Sequence, residues 1–164
     1  MVRLVRILVR LLVAFTVAVT ALSMVSAIVA LAKRGRFPDD TEPDDDELDL
    51  TTILRGRKFR SEAKAFRGGR LISWQGGADI DLRGATLDPS GAHLDVWTVF
   101  GGMQLRVPED WRVRMRGVAI FGGAGSMAPQ PEDGDPGPVL TIRYRTLFGG
   151  FGVTAEPDDE VLTV

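Results

Sequence analysis

The chain has 164 residues, of which 45% are hydrophobic and 26% charged, and this length and composition fit one folded domain of ordinary size. A net charge of -2 provides no basic excess, so nucleic-acid binding is not expected. The chain contains no cysteine, which excludes disulfides, thiol catalysis and thiolate metal sites.

The first predicted element is a transmembrane helix over about 11–32. This segment carries no charge, and a helix of its length spans about 30 Å, the thickness of the hydrocarbon layer of a bilayer. Basic residues flank it on both sides, namely Arg3, Arg6, Arg10, Lys33, Arg34 and Arg36. We therefore interpret 1–36 as a basic amphipathic N-terminus and one span, which predicts a single-pass protein of the cell membrane.

A cleaved signal peptide is the alternative for this segment, with Val25-Ser26-Ala27 as a small-residue cleavage site. The apolar run continues to Ala32, beyond the about 7–15 apolar residues of a signal peptide, and this favours an uncleaved anchor. Three basic residues flank the helix at each end, so the side of the membrane that the following domain occupies stays undecided. The N-terminal arginines favour a cytoplasmic N-terminus.

An acidic segment over 37–49 comes next, with two prolines and few apolar side chains. Such a composition predicts an extended linker between the membrane and the domain. The run Asp44-Asp45-Asp46 lacks the glycine and the spaced ligands of a calcium loop, so we do not expect it to bind a metal.

From residue 50 onward apolar and polar residues alternate with a period of two, which predicts strands with one buried face. The clearest runs are 94–100, 103–107, 111–121 and 140–148. Turn-forming residues separate these runs, and no long stripe of helical period interrupts them. We predict an all-β domain over 50–155, closed by an acidic C-terminal tail over 156–164.

The tripeptide Phe-Gly-Gly occurs three times, each time at the end of an alternating run, and Trp74-Gln75-Gly76-Gly77 is interpreted as a fourth copy. A fifth and more degenerate copy begins at Leu54. The repetition predicts stacked strand–corner–strand units, in which glycine adopts positive φ at the corner and the preceding ring points inward to stack on rings of neighbouring units. The predicted structural corners are Trp74, Gly76, Gly77, Phe100, Gly101, Gly102, Phe121, Gly122, Gly123, Phe148, Gly149 and Gly150. A phosphate-binding loop is disfavoured, because no helix start follows these glycines.

Several motifs in combination resemble the C-terminal domain of LiaF-like proteins, which are cell-wall-active antibiotic response proteins related to toast-rack β-solenoid domains. The motifs are FRGG (66–69), ADIDLRGA (78–85), VFGG (99–102), VPEDW (107–111) and a second FGG (121–123). The resemblance implies a β-solenoid, toast-rack-like repeat domain that acts through protein contacts in bacterial envelope-stress signalling by a two-component system. It implies no catalytic residue and no cofactor. LiaF-like proteins usually carry several spans before this domain, whereas one is predicted here.

Two sites carry side chains that could take part in catalysis or metal binding. His93, the only histidine, lies on the polar side of a strand near Asp95, but no nucleophile motif accompanies it and no second histidine could complete a metal site. Asp79 and Asp81 share one strand face about 7 Å apart, as in a glycosidase or a calcium-binding β-roll. The glycine pattern of the calcium repeat is broken at Asp79, so neither activity is expected.

Arginine forms the candidate interaction surface, with members on two predicted strands: Arg112, Arg114, Arg116, Arg143 and Arg145. If the units stack in register, Asp95 should face a neighbouring arginine, a pair that contributes about 0.2–1 kcal/mol. The surface is interpreted either as a solvated face that discourages edge pairing or as a site for an acidic protein or anionic lipid.

These patterns predict a non-enzymatic, membrane-anchored interaction domain that modulates an envelope-stress response, with another membrane signalling protein as partner. An alternative is a self-assembling membrane-bound β-solenoid, because repeat stacks have open ends. A carbohydrate-active β-helix enzyme is the weaker alternative, since it needs a cluster of carboxylates in a groove.

Overall fold

The structure is a computed structural model that describes residues 2–33, 41–132, 134 and 136–157. An N-terminal helix, α1 (Val2–Lys33), precedes the strands of an all-β domain. The strands are β1 (Glu47–Ile53), β2 (Gly56–Arg60), β3 (Gly68–Asp81), β4 (Ala92–Val107), β5 (Arg112–Ala119), β6 (Gly122–Ser126), β7 (Val139–Thr146) and β8 (Gly149–Ala155). The prediction of one apolar helix followed by a β-rich domain is confirmed.

Within α1, residues Val5–Val29 are long and apolar enough to cross a membrane, a test that an N-terminal signal sequence also passes. Most of the described side chains in this segment are exposed, as expected for a helix whose apolar surface is not covered by the rest of the protein. The segment begins before the predicted start at residue 11 and includes Arg6 and Arg10, whose long side chains can extend to a headgroup layer. The predicted flanking bases Arg34 and Arg36 lie outside the described residues.

The strands form stacked units that we call rungs, each with two arms joined at a corner. Rung 1 is β1 and β2, rung 2 is β3, rung 3 is β4, rung 4 is β5 and β6, and rung 5 is β7 and β8. All strand pairs between rungs are parallel, and the sheet is not closed. The spatial order is 1-2-3-5-4, because rung 5 inserts between rungs 3 and 4.

The core lies inside the bend, where both arms of each rung contribute alternate apolar residues. Leu50, Leu71 and Val96 stack in register before the corner. Ile80, Leu105 and Val153 do the same after it. A parallel stack places identical strand positions side by side, so one alternating pattern repeated in each rung fills a continuous core.

In four of the five rungs the residue before the first-glycine position adopts positive φ, which was not predicted. Leu54, Gln75, Phe100 and Phe121 have φ near +50°, at 55°, 52°, 55° and 54° respectively. These residues and Phe148 occupy one row across the stack, because the glycine pairs that follow them are in register. We call this row the corner ridge: Leu54, Gln75, Phe100, Phe148 and Phe121.

The predicted stacking of rings is confirmed, but the predicted inward orientation is wrong. The ring of Phe148 lies between those of Phe100 and Phe121, with centroid distances of 4.7 and 4.9 Å and nearly parallel planes. Phe121 is nevertheless 66% exposed, because a corner residue with positive φ directs its side chain to the outside of the bend. Trp74 was assigned to the wrong row: it pairs with Val99, and Gln75 occupies the ridge.

The first glycine of each pair is required by the spacing between rungs. A Cβ on Gly76, Gly101, Gly149 or Gly122 would lie 2.3, 1.9, 1.7 or 1.8 Å from a carbonyl oxygen of the preceding rung in the stack. Rung 1 has no preceding rung, and at this place it carries Arg55 instead of glycine. The first glycine therefore serves close backbone approach, and the positive φ that was predicted for it occurs at Gly101 and Gly149 but not at Gly76 or Gly122.

Both ends of the domain also differ from the prediction. β1 begins at Glu47, within the predicted linker, and Asp46 already accepts a hydrogen bond from the backbone N–H of Arg67 at 2.8 Å. At the other end, the backbone N–H of Glu156 donates to the carbonyl of Val107 at 3.0 Å. The rest of the predicted acidic tail, 158–164, lies outside the described residues.

Candidate functional site

The five predicted arginines lie on neighbouring strands, β5 and β7, at one end of the stack. Arg116 is directly opposite Arg143, which places two like charges side by side, and Arg114 is opposite Thr141. Arg112 is half-buried, and its guanidinium packs against Gly137. The register thus places the five predicted arginines on two adjacent strands.

Two of these arginines have partners on the adjacent rung. Asp95 approaches Arg143 at 4.0 Å, as predicted from the register, but both side chains are about half exposed, so the pair adds little stability. The guanidinium of Arg145 lies 4.6 Å from the ring centroid of Trp97. This contact combines a cation with an aromatic ring on the outer face of the first arms.

A second surface, which sequence reasoning missed, is built from the second glycine of each pair. These residues are Gly56, Gly77, Gly102, Gly150 and Gly123, and they form a row across all rungs on the outer face of the second arms. None has positive φ, and an added Cβ would meet no heavy atom closer than 3.6 Å. Neither backbone conformation nor packing therefore explains why glycine recurs in this row.

This glycine row is the floor of a groove with a volume of about 1020 Å³. Lys58, Asp79 and Gln104 stand along one side of it, in the next outward row of the first three rungs. In rungs 5 and 4 the same row holds Gly152 and Gly125, so the floor widens there. We call this surface the glycine groove.

The glycine groove is suited to binding by its shape, because few reactive side chains line it. Asp79 contributes a carboxylate, and its Oδ2 accepts a hydrogen bond from Arg106 at 3.1 Å. The side-chain amide of Gln104 donates to Thr154 at 3.2 Å. Backbone N–H and C=O groups of a parallel sheet bond along the stack, so the floor presents mainly Cα atoms and peptide faces. Such a surface admits close approach of an apolar partner.

The other predicted candidates do not assemble into a reactive site. His93 is exposed on β4, as predicted, in register with Gly68 and Thr141. Asp81 is buried, and Arg83 binds its two oxygens at 2.8 and 2.9 Å. Burial acts to raise the pKa of Asp81, but the hydrogen bonds from Arg83 and the charges of Arg83 and Arg60 outweigh it and hold that pKa below the ordinary value. Among the described residues no cluster of His, Cys, Asp or Glu could hold a metal.

Compared with known proteins, the chain matches no family model, no curated protein and no solved structure. One signal in the sequence could have indicated the groove. Rung 1 keeps Gly56 although it replaces the first glycine by Arg55, so the second glycine is retained where the first is dispensable.

Proposed function

We propose that this chain is a non-enzymatic, membrane-anchored interaction domain, and that the glycine groove is its binding site. The observation that carries the proposal is the row of second glycines, which recurs in every rung without a steric reason. Val5–Val29 of α1 supplies the anchor. The parallel, open stack of bent rungs supports a β-solenoid, toast-rack-like fold for the domain.

The occupant that fits this groove is an apolar helix of another membrane protein. Faces of parallel sheets are normally covered, most often by helices, and small residues allow a helix backbone to approach closely. Five strands spaced by about 4.8 Å give a floor about 19 Å long, the length of about 13 helical residues. Lys58 lines the rung 1 end, so we expect the partner helix to carry an acidic residue there.

The biological setting of this proposal comes from the resemblance to LiaF-like proteins. On the basis of that resemblance, the proposed partner is a membrane protein of an envelope-stress response, such as a sensor of a two-component system. Two of the motifs that carry it, VFGG at 99–102 and FGG at 121–123, lie at corners and contribute their second glycine to the floor of the groove. The domain would modulate signalling by holding or releasing the helix of its partner.

The structure provides an argument against self-assembly by end-to-end stacking. A copy stacked on rung 1 would place a carbonyl where the Cβ of Arg55 lies, the contact that glycine avoids in every other rung. Arg55 therefore blocks continuation of the stack at this end. We expect the full chain in detergent to be monomeric by light scattering, and polymer-sized particles would instead favour the structural alternative.

Replacing Gly102 by leucine tests the role of the groove. Gly102 is exposed in the central rung and has room for a Cβ, so the variant should fold, while a leucine side chain would fill the floor. We expect an at least about fivefold weaker response of the host cell to a cell-wall antibiotic, because overpacking an interface costs about 1–3 kcal/mol. Transcript induction of the response measures this effect.

His93→Leu is the matched control, because it adds the same side chain at an exposed position outside the groove. It should leave induction unchanged. If Gly102→Leu is correctly folded and anchored and its response equals that of the wild type, the groove is not the site of the proposed function.

A further inference from the structure

The corner ridge exposes apolar side chains that the β domain leaves uncovered. Phe121 is 66% exposed, and its neighbours Ile120 and Val118 are 46% and 53% exposed. They lie at the rung 4 end of the row, beyond the stacked ring of Phe148. An apolar edge of this kind on a single domain indicates a contact surface.

The ridge residue Gln75 and its neighbour Trp74 contact α1 inside its candidate span. The indole N–H of Trp74 donates to the hydroxyl of Ser26, and the side-chain amide of Gln75 donates to Ser23, at 3.0 Å from its hydroxyl oxygen. At 1.5 Å per residue, Ser26 lies about 4–5 Å and Ser23 about 9 Å inside the end of the span at Val29. A corner bonded at that depth lies at the boundary between the headgroups and the acyl chains if α1 crosses a bilayer.

The charge around the exposed end of the ridge suits an anionic surface. Arg145 precedes Phe148 by three residues, about 10 Å along the strand, and Arg143 and Arg116 follow at greater distance. Arg143 and Arg116 belong to one row of outward residues across the stack, and Asp49 and Asp95 occupy the same row in rungs 1 and 3. In rungs 5 and 4 this row therefore contains only arginine. Exposed apolar side chains at the corner, with arginines further along the same strands, have the composition of an interfacial membrane anchor.

We propose that the corner ridge lies in the headgroup region of the bilayer, with Phe121 and Ile120 inserted at the acyl boundary. The inference rests on the membrane anchoring in the proposed function and extends it. The domain is then attached at two points, at α1 beside rung 2 and at Phe121 in rung 4. Since the ridge and the glycine groove both run along the stack, the groove lies parallel to the bilayer surface.

Single cysteines test this orientation, because the chain contains none of its own. The full chain carrying Phe121→Cys, Ile120→Cys, Glu109→Cys or Phe15→Cys is labelled with an environment-sensitive fluorophore. Each variant is placed in vesicles of phosphatidylcholine and phosphatidylglycerol. Glu109 is exposed in the turn between β4 and β5, on the side away from the corners, and Phe15 lies within the span.

We expect labels at 120 and 121 to be quenched by lipids that carry the quencher near the headgroup, and to be about fivefold less accessible to aqueous iodide than the label at 109. The label at 15 should respond only to quenchers deep in the acyl region. Iodide accessibility at 120 and 121 equal to that at 109, with the label at 15 still in lipid, would overturn the ridge proposal alone. A label at 15 that is accessible to iodide would overturn the anchoring itself. Shielding at 121 without lipid quenching would show that a protein covers the ridge instead.

Discussion

Gly149→Ala should unfold the β domain or destabilise it by about 4 kcal/mol or more, among the largest effects of any single substitution in this chain. Gly149 lies in rung 5, between two other rungs, and has φ of +140°, where an L side chain is strained. Its Cβ would lie 1.7 Å from the carbonyl oxygen of Gly101. Denaturant unfolding of the full chain in detergent, followed by tryptophan fluorescence, measures the loss.

Gly150→Ala is the matched control at the adjacent residue. Its Cβ would be 3.8 Å from the nearest heavy atom, an ordinary contact, and its φ is not positive. The expected change in the free energy of unfolding is within about 0.5 kcal/mol. Equal destabilisation by the two substitutions would contradict the distinction between structural and groove-lining glycines.

Arg83→Met should destabilise the domain by about 3 kcal/mol at pH 7. The substitution leaves the buried carboxylate of Asp81 without its main partner and removes the hydrogen bond to the carbonyl of Pro157 at 3.0 Å. The value is at the low end for breaking a buried ion pair, because Arg60 stays 3.6 Å from Asp81. Chemical denaturation of wild type and variant measures it.

The loss should shrink as the pH falls. In the wild type the pKa of Asp81 is below its ordinary value of 3.8, so the stability that its charge provides is complete above that value and is lost as the pH falls through the lowered pKa. Without Arg83, burial acts to raise the pKa of Asp81, so protonation on acidification relieves the unpaired charge. Arg67→Met is the control, since Arg67 is 60% exposed beside Asp88 and its loss should change stability little at any pH. A loss for Arg83→Met that is independent of pH would contradict the assigned role of the pair.

The local architecture was predictable because the alternation of apolar residues and the glycine pairs are strictly local signals. They gave the strands, the corners, the stacked phenylalanines and the facing pair of Asp95 and Arg143. The insertion of rung 5 between rungs 3 and 4 was not predictable. Edge strands of similar sequence offer equivalent pairing partners, and the long connection after β6 permits either order.

The site was harder to predict than the fold, because the two glycines of each pair are the same residue type but have different structural roles. Only the distance between rungs separates Gly101, which has no space for a Cβ, from Gly102, which has ample space. The wrong assignment of Trp74 to the corner row has a related cause. The glycine pairs align the rungs and place Gln75 opposite Phe100, whereas the prediction aligned the aromatic residue Trp74 with the phenylalanines. The positive φ of Phe100 and Phe121 placed their rings outside the core, which hydrophobicity alone does not indicate.

A photo-crosslinking residue placed at Gln104, on the wall of the groove, tests the central claim most directly in native membranes. We expect one discrete adduct whose crosslink maps to an apolar, membrane-adjacent helix of another protein, and its loss when Gly102→Leu is added. The same crosslinker at the exposed position of His93 should give no such adduct. An adduct of equal yield from both positions, or one from Gln104 that persists when leucine fills the floor, would contradict the assignment of the glycine groove as the binding site.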